Sequence, residues 1–282
     1  MPNELHERNR ASWNAATERH LTHRRDLPAR LRTGAPILFA EELELLGDLA
    51  GRRLAHLQCN DGADTLALAR LGARATGVDI SDVAIAAARA HSVASGIAAS
   101  FERADVLDWS AAATARGVSF DVVFASYGAL PWIADLDAWM RAAAAVLAPG
   151  GRLVVVEFHP QLYVFEEGWR IERSYFGAPG GNVWQEGVED YVGYTGGGAG
   201  EAAAAARGWV NPHPCVEFQW TIGEVIGGAL AAGLALERFA EHPHCNGWQP
   251  FPDMRGDEQR RFHPPAGREQ PLMFSLAARK PG

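Results

Sequence analysis

Short apolar runs alternate with helix-forming segments between residues 53 and 157. The apolar runs predict strands at 53–58, 75–78, 100–103, 120–125 and 152–157. The segments between them predict helices at 64–71, 82–95 and 135–147. Short apolar strands that alternate with helices indicate a doubly wound α/β fold, in which helices cover both faces of a parallel sheet.

The alternation stops after residue 158 and returns near the C-terminus. There, a helix is predicted at 221–232 and strands at 235–241 and 272–278. The interruption is rich in aromatic residues and glycine, and it includes Trp184 and Trp209. We therefore expect an aromatic-rich cap inserted into the sheet domain, with residues 196–207 as a flexible tip or short hairpin.

Composition narrows the class of protein. The 282 residues are 48% hydrophobic and 21% charged, as in ordinary soluble globular proteins. The sequence lacks an apolar stretch of membrane-spanning length, and its polar start does not resemble a secretory signal. We therefore expect a cytoplasmic protein that does not insert into a membrane. A net charge of −8 argues against a nucleic-acid partner, and three widely spaced cysteines indicate reduced thiols.

Ligands of doubly wound sheets bind beyond the carboxyl ends of the strands. Asp79 ends the second predicted strand, where a carboxylate can accept hydrogen bonds from the hydroxyls of a ribose. Asp105 follows the third strand and could accept from an adenine amino group, beside the Val106 N–H. Capping of the next helix by Asp79, or a solvated turn at Asp105, are the alternative interpretations. After the first strand, only Gly62 supplies a glycine.

Several runs together resemble a known family. They are LAHLQCNDGADTLALARLGARATGVDISDVAIAAAR, FERADVLDW, FDVVFASYGALPWIADLDAW and LAPGGRLVVVEFHP. In these runs the chain is similar to class I S-adenosylmethionine-dependent methyltransferases, in particular their small-molecule branch. The resemblance implies a Rossmann-like, mostly parallel seven-stranded sheet with an antiparallel terminal strand. It also implies an N-terminal helical lid at 1–35, a cofactor-binding core at 36–160, a substrate cap at 161–219 and completion of the core at 220–282.

The resemblance implies S-adenosyl-L-methionine as the cofactor. His56 stands where the family has an acidic residue, and Gln58 and Asn60 replace two glycines of its loop. We expect the side chain of Gln58 or Asn60 to supply polar contacts to the methionine end of the cofactor. The expected cofactor-binding residues are Trp13, Asn14, Gln58, Asn60, Gly62, Asp79, Ile80, Asp105, Val106 and Ser126.

Methyl transfer requires alignment of the acceptor, exclusion of water and, for some acceptors, removal of a proton. The expected catalytic residues are His159, Glu157, Tyr127 and Glu186, with His159 and Glu157 as candidate bases. An acceptor that is already deprotonated would need no base. The expected substrate-binding residues are Trp132, Trp184 and Trp209, and the aromatic cap favours an aromatic or isoprenoid metabolite.

Two other functions use the same fold. A catalytically idle subunit that binds S-adenosylmethionine is one alternative, since the first loop departs from the family pattern. An NAD(P)-dependent oxidoreductase is the other, although it would require a glycine-rich turn for a pyrophosphate. The groups His213/Cys215 and His242/His244/Cys245 lack the spacing of a zinc site, so no metal is expected. A monomer and a homodimer are both compatible with the sequence.

Overall fold

The structure, a computed structural model, describes residues 3–196 and 200–282. In this part of the chain, the strands of the principal sheet are β1 (Arg53–Leu57), β2 (Arg74–Asp79), β3 (Ser100–Arg103), β4 (Phe120–Ser126), β5 (Leu147–Phe158), β6 (Ala235–His242) and β7 (Met273–Arg279). Their order in the sheet is β6-β7-β5-β4-β1-β2-β3. Strand β7 runs antiparallel to both of its neighbours, whereas the remaining pairs are parallel. The predicted doubly wound seven-stranded sheet is therefore confirmed.

The helices flank this sheet and its insertions. They are α1 (Glu4–Leu21), α2 (Leu27–Thr33), α3 (Ala40–Leu46), α4 (Ala63–Arg70), α5 (Asp82–Ser95), α6 (Val106–Ala115), α7 (Leu136–Val146), α8 (Tyr191–Tyr194), α9 (Glu201–Arg207) and α10 (Ile222–Ala231). Two short 3₁₀ turns lie at Leu130–Trp132 and Leu162–Val164. Within the described residues, no helix is both long and apolar enough to cross a bilayer.

Alternation of side chains along each strand creates the two buried layers. In β4, Val123 and Ala125 pack in a core with helices α6, α7 and α10, whereas Val122 and Phe124 pack in a core with α3 and α4. Successive residues of a strand point to opposite faces, so a strand covered on both sides must be apolar at nearly every position. This constraint explains why the strands appear in the sequence as continuous apolar runs.

Three predictions of local structure need correction. Helix α6 was not predicted, because its alanines give little amphipathic contrast. Strand β5 begins at Leu147, not at residue 152, since Gly150 adopts a φ of 74° that lets the chain turn without leaving the sheet. Residues 201–207, expected in a flexible tip or hairpin, form helix α9, whose Ala203 and Ala206 are buried. Residues 197–199 of that expected tip lie outside the described part.

Two insertions and the N-terminal helix gather at one edge of the sheet. The first insertion follows β5 and contains the strand pairs Phe165–Glu166 with Arg170–Ile171 and Asn182–Trp184 with Cys215–Glu217. The second lies between β6 and β7 and forms a small sheet of Cys245–Asn246, Arg261–His263 and Arg255–Gly256. The sequence pattern did not predict this second insertion. Both insertions contribute residues to the cavity described below.

Gly62 joins β1 to α4 in a conformation that only glycine adopts readily. Its φ is 77°, and a Cβ atom built there would lie 2.7 Å from the Cβ of Ala88 and 2.8 Å from Cε1 of Phe101. A methyl group at this position would therefore strain the backbone and overlap two buried side chains. Gly62 consequently sets the close approach between the start of α4 and helix α5.

We predict that Gly62→Ala lowers the free energy of unfolding by about 3 kcal/mol, the sum of left-handed backbone strain and overpacking. Gly96→Ala is the matched control, because Gly96 has a φ of 72° with no atom within 4 Å of its Cβ position. The free energy of unfolding of that variant should fall by only about 1 kcal/mol, because only the backbone strain applies there. Urea denaturation measures both values, and equal losses would contradict the packing role of Gly62.

Candidate functional site

A cavity of about 360 Å³ lies beyond the carboxyl ends of β1, β2, β3 and β4. Its volume is within the range of small-molecule sites, and its position is the one expected for ligands of doubly wound sheets. Residues from the sheet edge, from α1 and from both insertions form its walls. The sequence-predicted residues that line it are Trp13, Gln58, Asn60, Asp79, Ile80, Asp105, Val106, Ser126, Tyr127 and Trp132.

Asp79 lines the cavity and holds two of the loops that surround it. Its carboxylate accepts hydrogen bonds from the backbone N–H of Asn60 at 2.9 Å and of Ser81 at 2.8 Å. Burial raises the pKa of Asp79, although these backbone donors favour the charged form. Ser81, and not Asp79, caps helix α5 through a 3.0 Å bond from the N–H of Ala84. Asp79 therefore joins two loops and still presents its carboxylate to the cavity.

Asp105 is the N-cap of helix α6, and it also contacts the N-terminal helix. One oxygen accepts from the N–H of Leu107 at 2.8 Å, and the other lies 2.5 Å from Nδ1 of His6. Burial opposes ionisation, but the hydrogen bond and charge of His6 lower the pKa of Asp105 below its ordinary value. His6 also lines the cavity. It was not predicted, because only the tertiary fold brings α1 to β3.

The expected roles of the Gln58 and Asn60 side chains are not supported by their contacts. The amide group of Gln58 donates to the carbonyl of Ala129, and its oxygen accepts from the indole N–H of Trp139 at 3.0 Å. The side-chain oxygen of Asn60 accepts from the backbone N–H of Asp61 at 2.7 Å. Both side chains therefore hold the loop itself. Their φ angles of 56° and 49° explain why glycines are common at such positions.

Gly62 and Asn14 do not belong to the cavity wall. Gly62 lies close to helix α5, as described above. Asn14 accepts from the hydroxyl of Ser81 at 2.7 Å and donates to Asp82 at 3.3 Å. Its side chain therefore fixes α1 to the start of α5, while the neighbouring Trp13 reaches the cavity.

Helix α1 is held by polar contacts to both sides of the cavity. Toward the sheet domain it uses His6, Asn14 and Arg10, whose guanidinium lies 2.6 Å from Asp82. Toward the first insertion, Asn9 donates to the Val216 carbonyl at 2.8 Å and accepts from the Val216 N–H at 2.7 Å. Helix α1 thus spans the cavity and connects the sheet domain with the first insertion.

Tyr127 and Trp132 line the cavity after the end of β4. Tyr127 has a φ of 44°, which is rare for a residue with a side chain, and its hydroxyl accepts from the Asn246 amide at 3.1 Å. Trp132 packs edge to face with Trp13, with ring centroids 5.3 Å apart. The two aromatic residues therefore connect the sheet edge to the second insertion and to α1, respectively.

Glu157 is a structural carboxylate in this fold. It accepts from the backbone N–H groups of Ala129 at 2.7 Å, Leu130 at 3.0 Å and Phe158 at 2.7 Å, and also from the N–H of Gly128. The side chain is 2% exposed, and it does not line the cavity. Its oxygens hold the turn that follows β4, which is a structural role, and its expected role as a base stays a prediction.

His159, Glu186, Trp184 and Trp209 also lie outside the cavity wall. His159 is buried, accepts from the N–H of Gln161 at 3.0 Å and contacts Glu241 at 3.0 Å through Nε2. Glu186 is exposed to solvent. Trp184 and Trp209 pack on the apolar cluster of Ala16, Val188 and Cys215, which joins α1 to the first insertion. These aromatic residues stabilise the insertion instead of lining the site.

Other cavity residues were not predicted individually, although two of them lie in the expected substrate cap at 161–219. The first insertion supplies Tyr163 and Glu217, and the second supplies Asn246, Trp248 and Arg260. Burial raises the pKa of Glu217 to about 7, although the neighbouring Trp184 and Arg173 favour its charged form. Glu217 ends a strand of only three residues, and such a short strand has no sequence pattern that would mark Glu217 as a site residue. A carboxyl group that titrates near neutral pH can act as an acid or a base.

Three potential metal ligands meet outside the cavity wall. Ligand atoms of Glu41, His242 and His244 lie within 4.8 Å of one another. However, the guanidinium of Arg261 lies 2.9 Å from Glu41, and His244 contacts the same carboxylate oxygen at 3.1 Å. The carboxylate is therefore neutralised by side chains of the protein, and the cluster is explained as an ion-pair network.

Comparisons with known proteins found matches to the sheet domain. Residues 55–151 match the methyltransferase domain family. A ubiquinone biosynthesis O-methyltransferase of Bordetella avium is 32% identical over 108 residues, which cover 38% of this chain and 43% of that protein. The chain thus spans less than half the length of the curated relatives that it matches.

Solved structures show a similar fold over a larger part of the chain. An S-adenosylmethionine dependent methyltransferase from Mesorhizobium loti has a TM-score of 0.52 and 19% identity, covering 89% of this chain and 96% of the other. A SAM-dependent methyltransferase from Methanosarcina mazei has a TM-score of 0.53 and 15% identity, covering 86% and 98%. At these identities the likeness concerns the fold.

We predict that Glu157→Gln lowers the free energy of unfolding by about 2 kcal/mol, because an amide cannot accept from all the N–H groups that the carboxylate holds. Glu241→Gln is the control: its side chain is 50% exposed, and its contact with His159 should contribute at most about 0.5 kcal/mol. Thermal and urea denaturation compare the two. Unchanged stability of Glu157→Gln would contradict the structural role.

Proposed function

Since the chain carries a methyltransferase domain at residues 55–151 and has the fold of class I S-adenosylmethionine-dependent methyltransferases, we propose that it transfers a methyl group from S-adenosyl-L-methionine to a small molecule. The observation that carries this proposal is the placement of Asp79 and Asp105 in one cavity, at the ends of neighbouring strands. When bound, the cofactor supplies an electrophilic methyl group on a sulfonium.

The carboxyl end of β2 is suited to binding a ribose. Each carboxylate oxygen of Asp79 accepts one backbone hydrogen bond, and each retains capacity for another. Two adjacent hydroxyls of a ribose are donors that match these free lone pairs. Because Asp79 is fixed by two loops, its carboxylate is oriented before the nucleoside binds.

The edge at β3 fits an adenine. Asp105 lines the cavity with its carboxylate held between the first turn of α6 and His6. The backbone N–H of Val106 belongs to the same first turn, where helical N–H groups have no partner within the helix. An acceptor and a donor side by side are the groups that the amino-pyrimidine edge of adenine requires.

Helix α1 is proposed as the lid of this site, together with the rest of residues 1–35. It contacts the sheet domain and the first insertion on opposite sides of the cavity. Lifting α1 would break polar contacts, which water can replace, and would also expose the small apolar cluster that contains Ala16 and Trp13. In the closed state, Trp13 and His6 exclude water from the cofactor.

The remaining part of the cavity is proposed as the acceptor site. Its wall includes the aromatic side chains of Phe39, Tyr127, Phe158, Tyr163 and Trp248. Flat, apolar walls favour an aromatic or isoprenoid acceptor through burial of its surface and through aromatic contacts. The relative from Bordetella avium is named for ubiquinone biosynthesis, and a phenolic acceptor is consistent with that name.

Glu217 is the proposed general base for a hydroxyl acceptor. It lines the cavity, and the N–H of the next residue, Phe218, donates to the carbonyl of Pro131 at 2.7 Å. That bond ties its strand to the turn after β4, next to Trp132. The groups that influence its charge are Trp184, Arg173 and Glu189, with Tyr163 and Cys215 also nearby.

The first experiment measures cofactor binding. We predict that S-adenosylhomocysteine binds the wild type in calorimetry, and that Asp79→Asn weakens this binding about 30-fold through loss of a charge-assisted hydrogen-bond acceptor. Asp121→Asn is the matched control, because Asp121 lies at the opposite end of the parallel strands and bonds to the N–H of Arg53. Lack of binding up to millimolar ligand would refute the proposed function.

The second experiment uses a panel of phenolic acceptors and a methyl-labelled donor. A base with a pKa of about 7 must be deprotonated to act, so kcat/KM should rise as pH increases from 6 to 8. We predict that Glu217→Gln removes this rise and lowers kcat/KM about 100-fold at pH 8.

Glu186→Gln is the control for this experiment, since Glu186 is exposed on the same insertion and should leave the pH profile unchanged. Parallel profiles for wild type and Glu217→Gln would exclude Glu217 as the base. Tight binding of S-adenosylhomocysteine without methyl transfer to any acceptor would instead favour the idle, cofactor-binding subunit.

A further inference from the structure

Gln58 and Asn60, which were expected to contact the methionine end of the cofactor, are uncharged and form hydrogen bonds within the protein. Gln58 is engaged by Ala129 and Trp139, and the side-chain oxygen of Asn60 is engaged by Asp61. S-adenosylmethionine ends in an α-amino acid, which carries an ammonium and a carboxylate at neutral pH. Charged side chains of the cavity are therefore the candidates for pairing with these two groups.

Two oppositely charged side chains line the cavity near this loop. Arg24 lies between α1 and α2, and Asp64 lies in the first turn of α4. The guanidinium of Arg24 is positioned by Asp61, whose carboxylate oxygen lies 2.9 Å away. Asp64 accepts from the hydroxyl of Ser126 at 3.3 Å. Both charges are therefore held in place by the loops of the sheet edge.

We propose that Arg24 and Asp64 bind the amino-acid end of the methyl donor, with Asp64 receiving the ammonium and Arg24 the carboxylate. This inference rests on the proposed function. It assigns the recognition of the zwitterion to two side chains that the sequence did not single out.

The distance along the sheet supports this assignment. Asp79 ends β2, and Ser126, the partner of Asp64, ends β4. Strand β1 lies between them, so the two sites are separated by two strand spacings, about 10 Å. An extended S-adenosylmethionine places its ribose and its amino group at opposite ends of a chain of this length. One ligand can therefore contact both carboxylates.

The electrostatics of the pocket also favour a cationic group at Asp64. His56, which stands where an acidic residue was expected, contacts Thr65 at 2.8 Å and Ser126 at 3.4 Å. Burial lowers the pKa of His56 to about 3, so the ring is neutral. In the network of His56, Ser126 and Asp64, the negative charge is therefore that of the Asp64 carboxylate. Burial raises its pKa to about 6, and an ammonium ligand would offset that desolvation.

Two ligands separate this role from a structural one. S-adenosylhomocysteine contains the amino-acid end, whereas 5′-methylthioadenosine shares the adenine, ribose and thioether but lacks that end. We predict that Asp64→Asn and Arg24→Gln each weaken S-adenosylhomocysteine binding at least about tenfold, as expected for loss of a charge-assisted bond. Binding of 5′-methylthioadenosine should change less than about twofold in the same calorimetric measurement.

The same experiment gives a pH dependence. The groups that surround Asp64 are Arg24, Asp61, Glu42, Tyr127, Tyr191, Arg260 and His56. Protonation of Asp64 removes its negative charge, so wild-type affinity for S-adenosylhomocysteine should fall about tenfold from pH 7 to pH 5. The affinity of Asp64→Asn, and the affinity of either protein for 5′-methylthioadenosine, should stay nearly constant.

The outcomes distinguish this inference from the proposed function. Equal losses for both ligands would show that Asp64 and Arg24 act on the fold and would overturn the inference alone. Unchanged binding of S-adenosylhomocysteine by the variants would do the same. A wild-type protein that binds neither nucleoside would contradict the proposed function and this inference with it.

Discussion

Buried carboxylates that accept backbone N–H groups organise the carboxyl edge of the sheet. Glu157 holds the turn after β4, Asp79 joins the loops after β1 and β2, and Asp105 starts helix α6. A carboxylate removed from water must find donors within the protein, and the first residues of loops and helices supply unpaired N–H groups. Desolvation and loop geometry therefore favour the same arrangement, and the cavity lies where these loops meet.

Three segments that are distant in sequence cover the loops at the carboxyl edge of the sheet. Helix α1 crosses the edge, the first insertion contributes Glu217 and Tyr163, and the second contributes Asn246 and Arg260. Helix α1 makes polar contacts and packs in one small apolar cluster, whereas the sheet domain is held by two large apolar layers. Helix α1 is therefore attached to the fold by fewer apolar contacts than the strands are.

The loop after β1 shows how a fold tolerates an unusual sequence. Gln58 and Asn60 adopt positive φ angles that glycines would adopt without strain. Their side chains offset this strain with hydrogen bonds to Ala129, Trp139 and the backbone of Asp61. The side chains are thereby used for the conformation of the loop. In the proposed site, recognition of the cofactor falls to neighbouring residues that line the cavity, of which Asp79 was predicted from the sequence and Asp64 was not.

The sequence by itself determined the scaffold of this protein and the strand ends on which Asp79 and Asp105 lie. Strands buried on both faces must be apolar runs, and helices between them show clear caps, so local patterns predict the sheet domain. Tertiary structure alone decided which further residues join the predicted ones around the cavity. It turned Glu157 and His159 away from the cavity, and it brought His6 to Asp105 across 99 positions. Contacts between distant segments have no local periodicity, so no pattern in the sequence could reveal them.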